Sequence, residues 1–241
     1  MPTAEDLNKL IAESSNIVFF GGAGVSVPSG IPDFRSPDGL YNQKYKYPPE
    51  TIISASFFAL HAEEFYEFYK DKMLFPKAEP NAAHYKLAEL EKAGRLRAVV
   101  TQNIDGLHQK AGSRRVLELH GSVHRNYCCQ CEKEFDLAYI LASEGVPRCD
   151  ACGGLVKPDV VLYEEPLDTT TVDGAIYAIS RCDLLIIGGT SMSVYPAAGL
   201  VQYRPKKSRL AIVNLSPTPS DSAADLVVSG SIDKVFEAVG V

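Results

Sequence analysis

Two cysteine pairs, Cys128-x2-Cys131 and Cys149-x2-Cys152, are separated by residues 132–148. That spacing fits a four-thiolate tetrahedral zinc site. Because protein fills every position, such a site is structural and does not activate water. Free thiols or disulfides are the alternatives, and a chain without an export signal does not favour disulfides. Cys129 and Cys182 are left over as buried or incidental thiols, and His124 near the first pair is not needed once four thiolates saturate the ion.

A second set of residues suits a phosphorylated ligand. The apolar run Asn16–Phe20 reads as a buried parallel strand and enters the Gly-rich turn Gly21-Gly22-Ala23-Gly24. Such a turn lets backbone N–H groups approach a pyrophosphate. The dinucleotide fingerprint is only partly met, with Val27 where a third Gly or Ala belongs. Pro28-Ser29-Gly30-Ile31-Pro32 cannot continue a regular helix, so it forms a loop carrying Asp33, Phe34 and Arg35, an apolar plate beside a phosphate-binding fork. Taken alone, the segment also reads as an ordinary surface loop.

Further polar residues stand at the ends of predicted strands. Arg97–Gln102 runs into Gln102-Asn103-Ile104-Asp105, and Val116–Leu119 delivers His120-Gly121. Asp183–Ile187, the clearest buried strand, enters Gly188-Gly189-Thr190-Ser191, and Arg209–Val213 enters Asn214-Leu215. In open α/β sheets ligands gather at the carboxyl ends of strands. The competing reading of 102–105 is a capped helix start. A single His is by itself more often a packed or surface residue than a catalyst.

Strands alternating with helices predict an α/β fold, a Rossmann-like doubly wound parallel sheet with a smaller inserted zinc-ribbon and helical domain. Residues 1–36, 81–124 and 158–241 are assigned to the sheet domain, 37–80 to a helical insertion and 125–157 to the ribbon. Thr3 and Asn81 cap helices, Gly94 ends the second, Val156–Tyr163 returns as a strand, 168–181 is helical, and helices follow Pro196 and Ile232. The aromatic spacing of Phe57, Phe58, Phe65, Tyr66, Phe68 and Tyr69 is that of a core.

With 241 residues, 46% apolar and 22% charged, the chain has ample length for a core. Its 24 Lys and Arg against 30 Asp and Glu give a formal charge of −6, which argues against nucleic acid as the main ligand. The N-terminal MPTAEDLNKLIAE lacks an apolar signal region, and no apolar run approaches the roughly 20 residues of a membrane helix. A cytoplasmic protein with no membrane partner is expected.

The segments GAGVS, GIPDFRSPDGLY, TQNIDGLHQKAG, LHGS, the paired CxxC, KPDVV, GTSMSVYPA and VNLS are spread from residue 22 to 216. In this combination the chain resembles the sirtuin family of NAD-dependent protein deacylases over essentially its whole length. The resemblance implies NAD as co-substrate, one structural zinc and acyl-lysine proteins or peptides as partners. Gly22, Ala23 and Gly24 would line the pyrophosphate, and Phe34 and Arg35 would cover the reactive ribose. Gln102, Asn103, Ile104 and Asp105 would line the ribose and nicotinamide pocket. Thr190, Ser191, Asn214 and Leu215 would hold the adenosine side, with Gly189 and Ile232 also binding the cofactor. His120 would be the general base, with Asn103 as a second catalytic residue. Val161, Tyr163 and Val194 would border the acyl-lysine channel, where a peptide adds as a strand. The implied reaction releases nicotinamide, passes through an alkylimidate and yields free lysine and O-acyl-ADP-ribose.

Two departures bear on specificity. Relatives commonly read Phe-Gly-Glu where this chain has Tyr163-Glu164-Glu165. If the replaced Gly needs positive φ, Glu164 strains the turn; otherwise it adds an acidic neighbour favouring basic peptides. Relatives that take succinyl- or malonyl-lysine carry a Tyr and an Arg after the Phe-Arg pair, whereas residues 36–43 hold Tyr41 and no Arg. A neutral acyl group, acetyl or longer, is expected. The alternatives are an NAD-dependent ADP-ribosyltransferase or glycohydrolase, and a non-catalytic module that binds NAD or ADP-ribose.

Overall fold

The computed structural model describes residues 2–34, 36, 39–42 and 44–240. Thr3 opens the first helix, α1 (Ala4–Ala12), its backbone N–H donating to Asp6 Oδ2 at 2.9 Å, and α1 buries Leu7 and Ile11. The apolar run that follows becomes β1 (Ile17–Gly21), buried at every residue as a strand covered on both faces must be. Among the described residues the chain then makes three short 3-10 turns before the helices α2 (Pro49–Ile52), α3 (Ala55–Leu60) and α4 (Ala62–Lys72). Asn81 caps α5 (Ala82–Lys92) by accepting from Ala83 N at 3.0 Å, and Gly94, at φ 75°, turns the chain beyond its end.

From there β2 (Leu96–Thr101), α6 (Leu107–Lys110) and β3 (Val116–Glu118) lead into the inserted strands. These are β4 (Gly121–Cys128), β5 (Glu134–Phe135) and, after α7 (Leu137–Ala142), β6 (Val156–Val160). The chain finishes with α8 (Thr169–Ile179), β7 (Leu184–Gly188), β8 (Arg209–Asn214), β9 (Leu226–Ser229) and α9 (Ile232–Glu237).

Six strands form one parallel sheet in the order β3-β2-β1-β7-β8-β9. Alternate residues feed opposite faces. Phe19, Val99, Ile186 and Val213 pack with Leu7 of α1, Leu87 of α5 and Phe236 of α9. Phe20, Val100, Ile187 and Ile212 pack with Ala175 and Ile179 of α8. The chain builds outward from β1 through β2 to β3, then returns to place β7 on the other side of β1. Strand order therefore reverses between β1 and β7, which opens a crevice at their carboxyl ends.

The second sheet is small and antiparallel, in the order β5-β4-β6. Its core is shared with the helices of residues 49–72: Phe57, Phe58, Phe65, Tyr66 and Tyr69 pack with Val123, Phe135, Ile140, Val156 and Val160. Tyr66 OH donates to Val156 O at 2.5 Å, and Lys70 Nζ donates to Gly145 O at 2.9 Å. The aromatic stripe is thus core, as its spacing predicts.

One expectation is overturned. The strand expected over 156–163 ends at Val160 and belongs to the small sheet, because Leu162 N–H turns onto Glu165 Oε2 at 2.8 Å. The helix expected after Pro196 is present as a 3-10 helix, Ala197–Tyr203. No helix among the described residues is long and apolar enough to cross a membrane.

Candidate active site and thiolate centre

A cavity of about 1170 Å3 opens at the carboxyl ends of the parallel strands. Single ligands of drug size occupy roughly 300–1000 Å3, so the space suits more than one group. Its floor is made where β1 and β7 approach each other. Gly24 N–H donates to Gly189 O at 2.8 Å, and a Cβ on Gly24 would lie 2.8 Å from both Gly189 Cα and Gly189 O. Gly189 has φ 58°, and a Cβ there would meet Val25 N at 2.3 Å. Side chains are excluded from this contact, which leaves backbone and open space for a ligand. Gly22 is set behind the lining, where a Cβ would meet Gln102 Oε1 at 2.8 Å.

The polar cluster after β2 is held from several sides. Asn103 N–H donates to Thr101 Oγ1 at 3.0 Å, and Asn103 Nδ2 donates to Ser26 Oγ at 3.1 Å. Ser26 in turn donates to Asp105 Oδ2 at 2.7 Å, while Leu107 N–H donates to Asp105 Oδ1 at 2.9 Å. Burial pushes the Asp105 carboxyl above its ordinary range, against these two donors, which favour the anion. Across the crevice Thr190 Oγ1 donates to Gln102 Oε1 at 2.9 Å, and Asn214 Nδ2 donates to Thr190 O at 3.2 Å. Gln102 Nε2 is buried without a partner among the described residues, a donor that a ligand oxygen can satisfy.

His120 follows β3, whose neighbour is β2, so the two polar strand ends do share a sheet edge. Its Nδ1 lies 2.9 Å from Gln102 O. A carbonyl only accepts, so Nδ1 carries the hydrogen and Nε2 keeps its lone pair. Burial lowers the His120 pKa, an effect opposed by the carbonyl hydrogen bond. The ring is therefore a neutral imidazole at pH 7, ready to accept a proton at Nε2. The main chain of His120 also reaches the small sheet side, since Val161 N–H donates to His120 O at 3.0 Å.

The cavity brings together Ala23, Gly24, Phe34, Gln102, Asn103, Ile104, Asp105, His120, Val161, Tyr163, Gly189, Thr190, Ser191, Val194, Asn214, Leu215 and Ile232. Phe34 packs edge-on against Tyr41 with ring centroids 5.4 Å apart. Arg35 lies outside the described residues. Ser26 was not among the site residues expected from sequence, although it stands inside the GAGVS segment. A hydroxyl two residues after a Gly turn gives no sign that it bridges Asn103 and Asp105.

The four cysteines meet as their spacing predicts. Cys128 Sγ lies 3.4 Å from Cys152 Sγ, Cys131 Sγ lies 3.5 Å from Cys152 Sγ and 3.6 Å from Cys149 Sγ, and all four sulfurs fall within 4.8 Å of one another. A tetrahedron with Zn–S bonds of about 2.3 Å has sulfur edges of about 3.8 Å, close to these separations and far beyond a disulfide bond. The donor set fits a structural zinc ion. Cys129 is exposed and Cys182 buried, and both are free.

The Sir2 family model matches residues 22–196. The chain belongs to the Sir2 family. An NAD-dependent protein deacetylase of Clostridium acetobutylicum is 60% identical over 237 residues, covering 97% of this chain and 96% of its own. Another, of Clostridium perfringens, is 58% identical over 235 residues, with 97% and 96% covered. A solved Sir2 structure with a deacetylated p53 peptide and 3′-O-acetyl ADP-ribose superposes with a TM-score of 0.90 at 42% identity, covering 98% of this chain and 96% of that one. A Sir2 complex with a p53 peptide and NAD+ gives a TM-score of 0.85 at 41% identity, covering 98% and 96%. In this Sir2 chain the match spans both the Gly turn and the thiolate centre.

Proposed function

We propose that this chain is an NAD-dependent protein-lysine deacetylase. The observation that carries the reading is His120, a neutral imidazole whose Nε2 has no partner among the described residues and stands between the polar strand ends and the channel segment Val161–Tyr163. When bound, NAD supplies an electrophilic ribose carbon with nicotinamide as leaving group, and ADP-ribose takes up the acyl group.

The residues divide the work by position. Ala23 and Gly24, with Gly22 behind them, hold the pyrophosphate against backbone. Gly189, Thr190, Ser191, Asn214, Leu215 and Ile232 hold the adenosine side. Gln102, Asn103, Ile104 and Asp105 bind and orient the nicotinamide ribose, Asn103 fixed by Thr101 and Ser26. Phe34 screens the reacting centre from water, and Arg35 is assigned to the same loop. His120 Nε2 accepts a ribose hydroxyl proton, a task suited to an imidazole that is uncharged at working pH.

The acyl-lysine enters past Val161, Tyr163 and Val194. Tyr163 N–H already donates to Ile53 O and Tyr163 O already accepts from Ala55 N, both at 3.0 Å. These Tyr163 groups and Leu162 N–H are already taken, so an added peptide strand pairs with other main-chain groups that border the channel. The apolar channel wall and the lack of Arg in residues 36–43 favour neutral acyl groups. Cys128, Cys131, Cys149 and Cys152 hold a structural zinc that has no part in the chemistry. We further assign residues 1–36, 81–124 and 158–241 to the sheet domain, with 37–80 and 125–157 as the insertions, although β4 and β6 of the small sheet run across the bounds at 124 and 158. Residence in the cytoplasm fits thiols that must stay reduced to bind metal.

Nicotinamide release, measured with NAD in the presence and absence of an acetyl-lysine peptide, tests the reading. Release that depends on the peptide is expected. Peptide-independent release would point to a glycohydrolase, and no release with NAD still bound would point to a binding module.

A further inference from the structure

Glu164 stands at φ 76°, in the left-handed region that a residue with a Cβ enters at a cost. Its carboxylate is committed nearby: Ser56 N–H donates to Oε2 at 2.9 Å and Ser56 Oγ donates to Oε1 at 3.0 Å. Ser56 lies in the first turn of α3, which Ser54 caps by accepting from Phe57 N at 3.2 Å. The residue before Glu164 is tied to the same place, since Tyr163 bonds through its main chain to Ile53 and Ala55. The residue after it closes the turn from the other side: Glu165 Oε2 accepts from Leu162 N at 2.8 Å and from the buried Lys157 Nζ at 3.1 Å.

These contacts form a strip with His120 at one end and α3 at the other. Val161 N–H reaches His120 O at 3.0 Å, Tyr163 borders the cavity, and Glu164 bolts the far end to Ser56. Without that bolt the backbone strain at Glu164 has no counterweight, and the wall of the channel can shift relative to His120. The carboxylate has both oxygens on Ser56, so it is not aimed at a peptide.

We propose that Glu164 is a positioning residue for the acyl-lysine channel: by tying the 162–165 turn to α3 it fixes the Val161–Tyr163 wall relative to His120, and it does not read the charge of the peptide. The proposal rests on the deacetylase reading of this cavity.

The test is steady-state kinetics of Glu164→Ala, Glu164→Gln and Glu164→Gly with two acetyl-lysine peptides, one flanked by basic and one by acidic residues. Glu164→Ala keeps the strain and loses the bolt, so KM for both peptides rises about tenfold, the worth of one hydrogen bond to a charged group, while KM for NAD stays within about twofold. Glu164→Gln retains an acceptor for Ser56 N–H and restores peptide KM. Glu164→Gly removes the strain and recovers thermal stability, yet its peptide KM stays raised.

A Glu164→Gln that loses as much as Glu164→Ala on the basic peptide and spares the acidic one overturns the proposal in favour of charge reading. Unchanged peptide KM in every variant overturns it outright. If the unmodified protein consumes no acetyl-peptide at all, the deacetylase reading fails separately. Hydrogen exchange then decides the bolt itself: Glu164→Ala must lose amide protection at 162–165 and Glu164→Gln must keep it.

Discussion

The parallel sheet and the small ribbon sheet both reach His120, and they are stabilised by different means. Strands β1 and β7 are buried at every residue and are sandwiched by helices on both faces. Each such side chain contributes about 1.5–3 kcal/mol by leaving water. In the ribbon, β5 has two residues, and half of the cysteine cluster, Cys131 and Cys152, is exposed. Three strands of this size need an apolar face packed against helices to be stable. The ribbon leans on four thiolates at one end and on the aromatic helices at the other. The floor proposed for NAD thus rests on the helix-covered sheet, and the wall proposed for the peptide rests on the ribbon and its aromatic helices.

Removing the metal is the largest expected blow to that contrast, because a structural zinc site contributes on the order of 10 kcal/mol to folding. A strong chelator, or Cys149→Ala, should abolish amide protection in residues 121–160 while β1, β2, β7 and β8 keep theirs, and deacetylation should cease. Hydrogen exchange read by mass spectrometry checks this, and uniform loss across both sheets would merge the two regions into one cooperative unit.

The floor can be broken at its tightest contact. Gly24→Ala places a Cβ 2.8 Å from the Gly189 backbone, which cannot swing aside as a long side chain would. Overpacking of this kind costs about 1–3 kcal/mol of folding stability, and because the displaced backbone lines the cavity, NAD affinity should fall on the order of tenfold. Titration calorimetry should show that loss while zinc content stays at one per chain.

Acid sharpens the comparison from the side of the large sheet. His84 of α5 and His108 of α6 are 0% and 1% exposed, with ring centroids 4.7 Å apart. Burial lowers His84 to about 4 from 6.5 and holds His108 well below its ordinary value, the neighbouring His84 adding to the effect. Between pH 6.5 and about 4 the unfolded chain binds protons that the folded chain refuses, so stability falls as pH falls. Urea unfolding at pH 5.5 should give about 3 kcal/mol less than at pH 7.5, and His84→Gln should remove about half of that difference. Equal stability at the two pH values would contradict the buried neutral pair.

The smallest effect is on rate. Burial holds His120 below the ordinary histidine range, so its basic form dominates at neutral pH. The kcat/KM profile should therefore be flat from pH 7 to 8 and drop only below the usual histidine pKa. An acid limb centred above 7 would mean that His120 is charged in the resting protein.

Much of this architecture was legible because its causes are local. Apolar runs such as Asp183–Ile187 leave few options besides a buried strand, and paired CxxC spacing restricts four thiols to one tetrahedron. The polar strand ends were legible for the same reason, since parallel strands deliver them to one edge. What escaped depends on partners distant in sequence. Ser26 matters because Asp105 and Asn103 come to it, and nothing around Ser26 announces that. Val156–Tyr163 reads as one strand, yet Glu165 and Lys157 turn it at Leu162. Glu164 could be flagged by its type in a Gly position, but its commitment to Ser56, in a segment read only as helical, required the fold.

The most direct test of the central claim follows one acetyl-lysine peptide by mass spectrometry, with and without NAD, beside His120→Ala. Loss of the acetyl group that needs NAD, appearance of O-acetyl-ADP-ribose, and their absence in a His120→Ala protein that still binds NAD are the predicted results. Deacetylation that persists in His120→Ala at the unmodified rate, or that proceeds without NAD, would contradict the account.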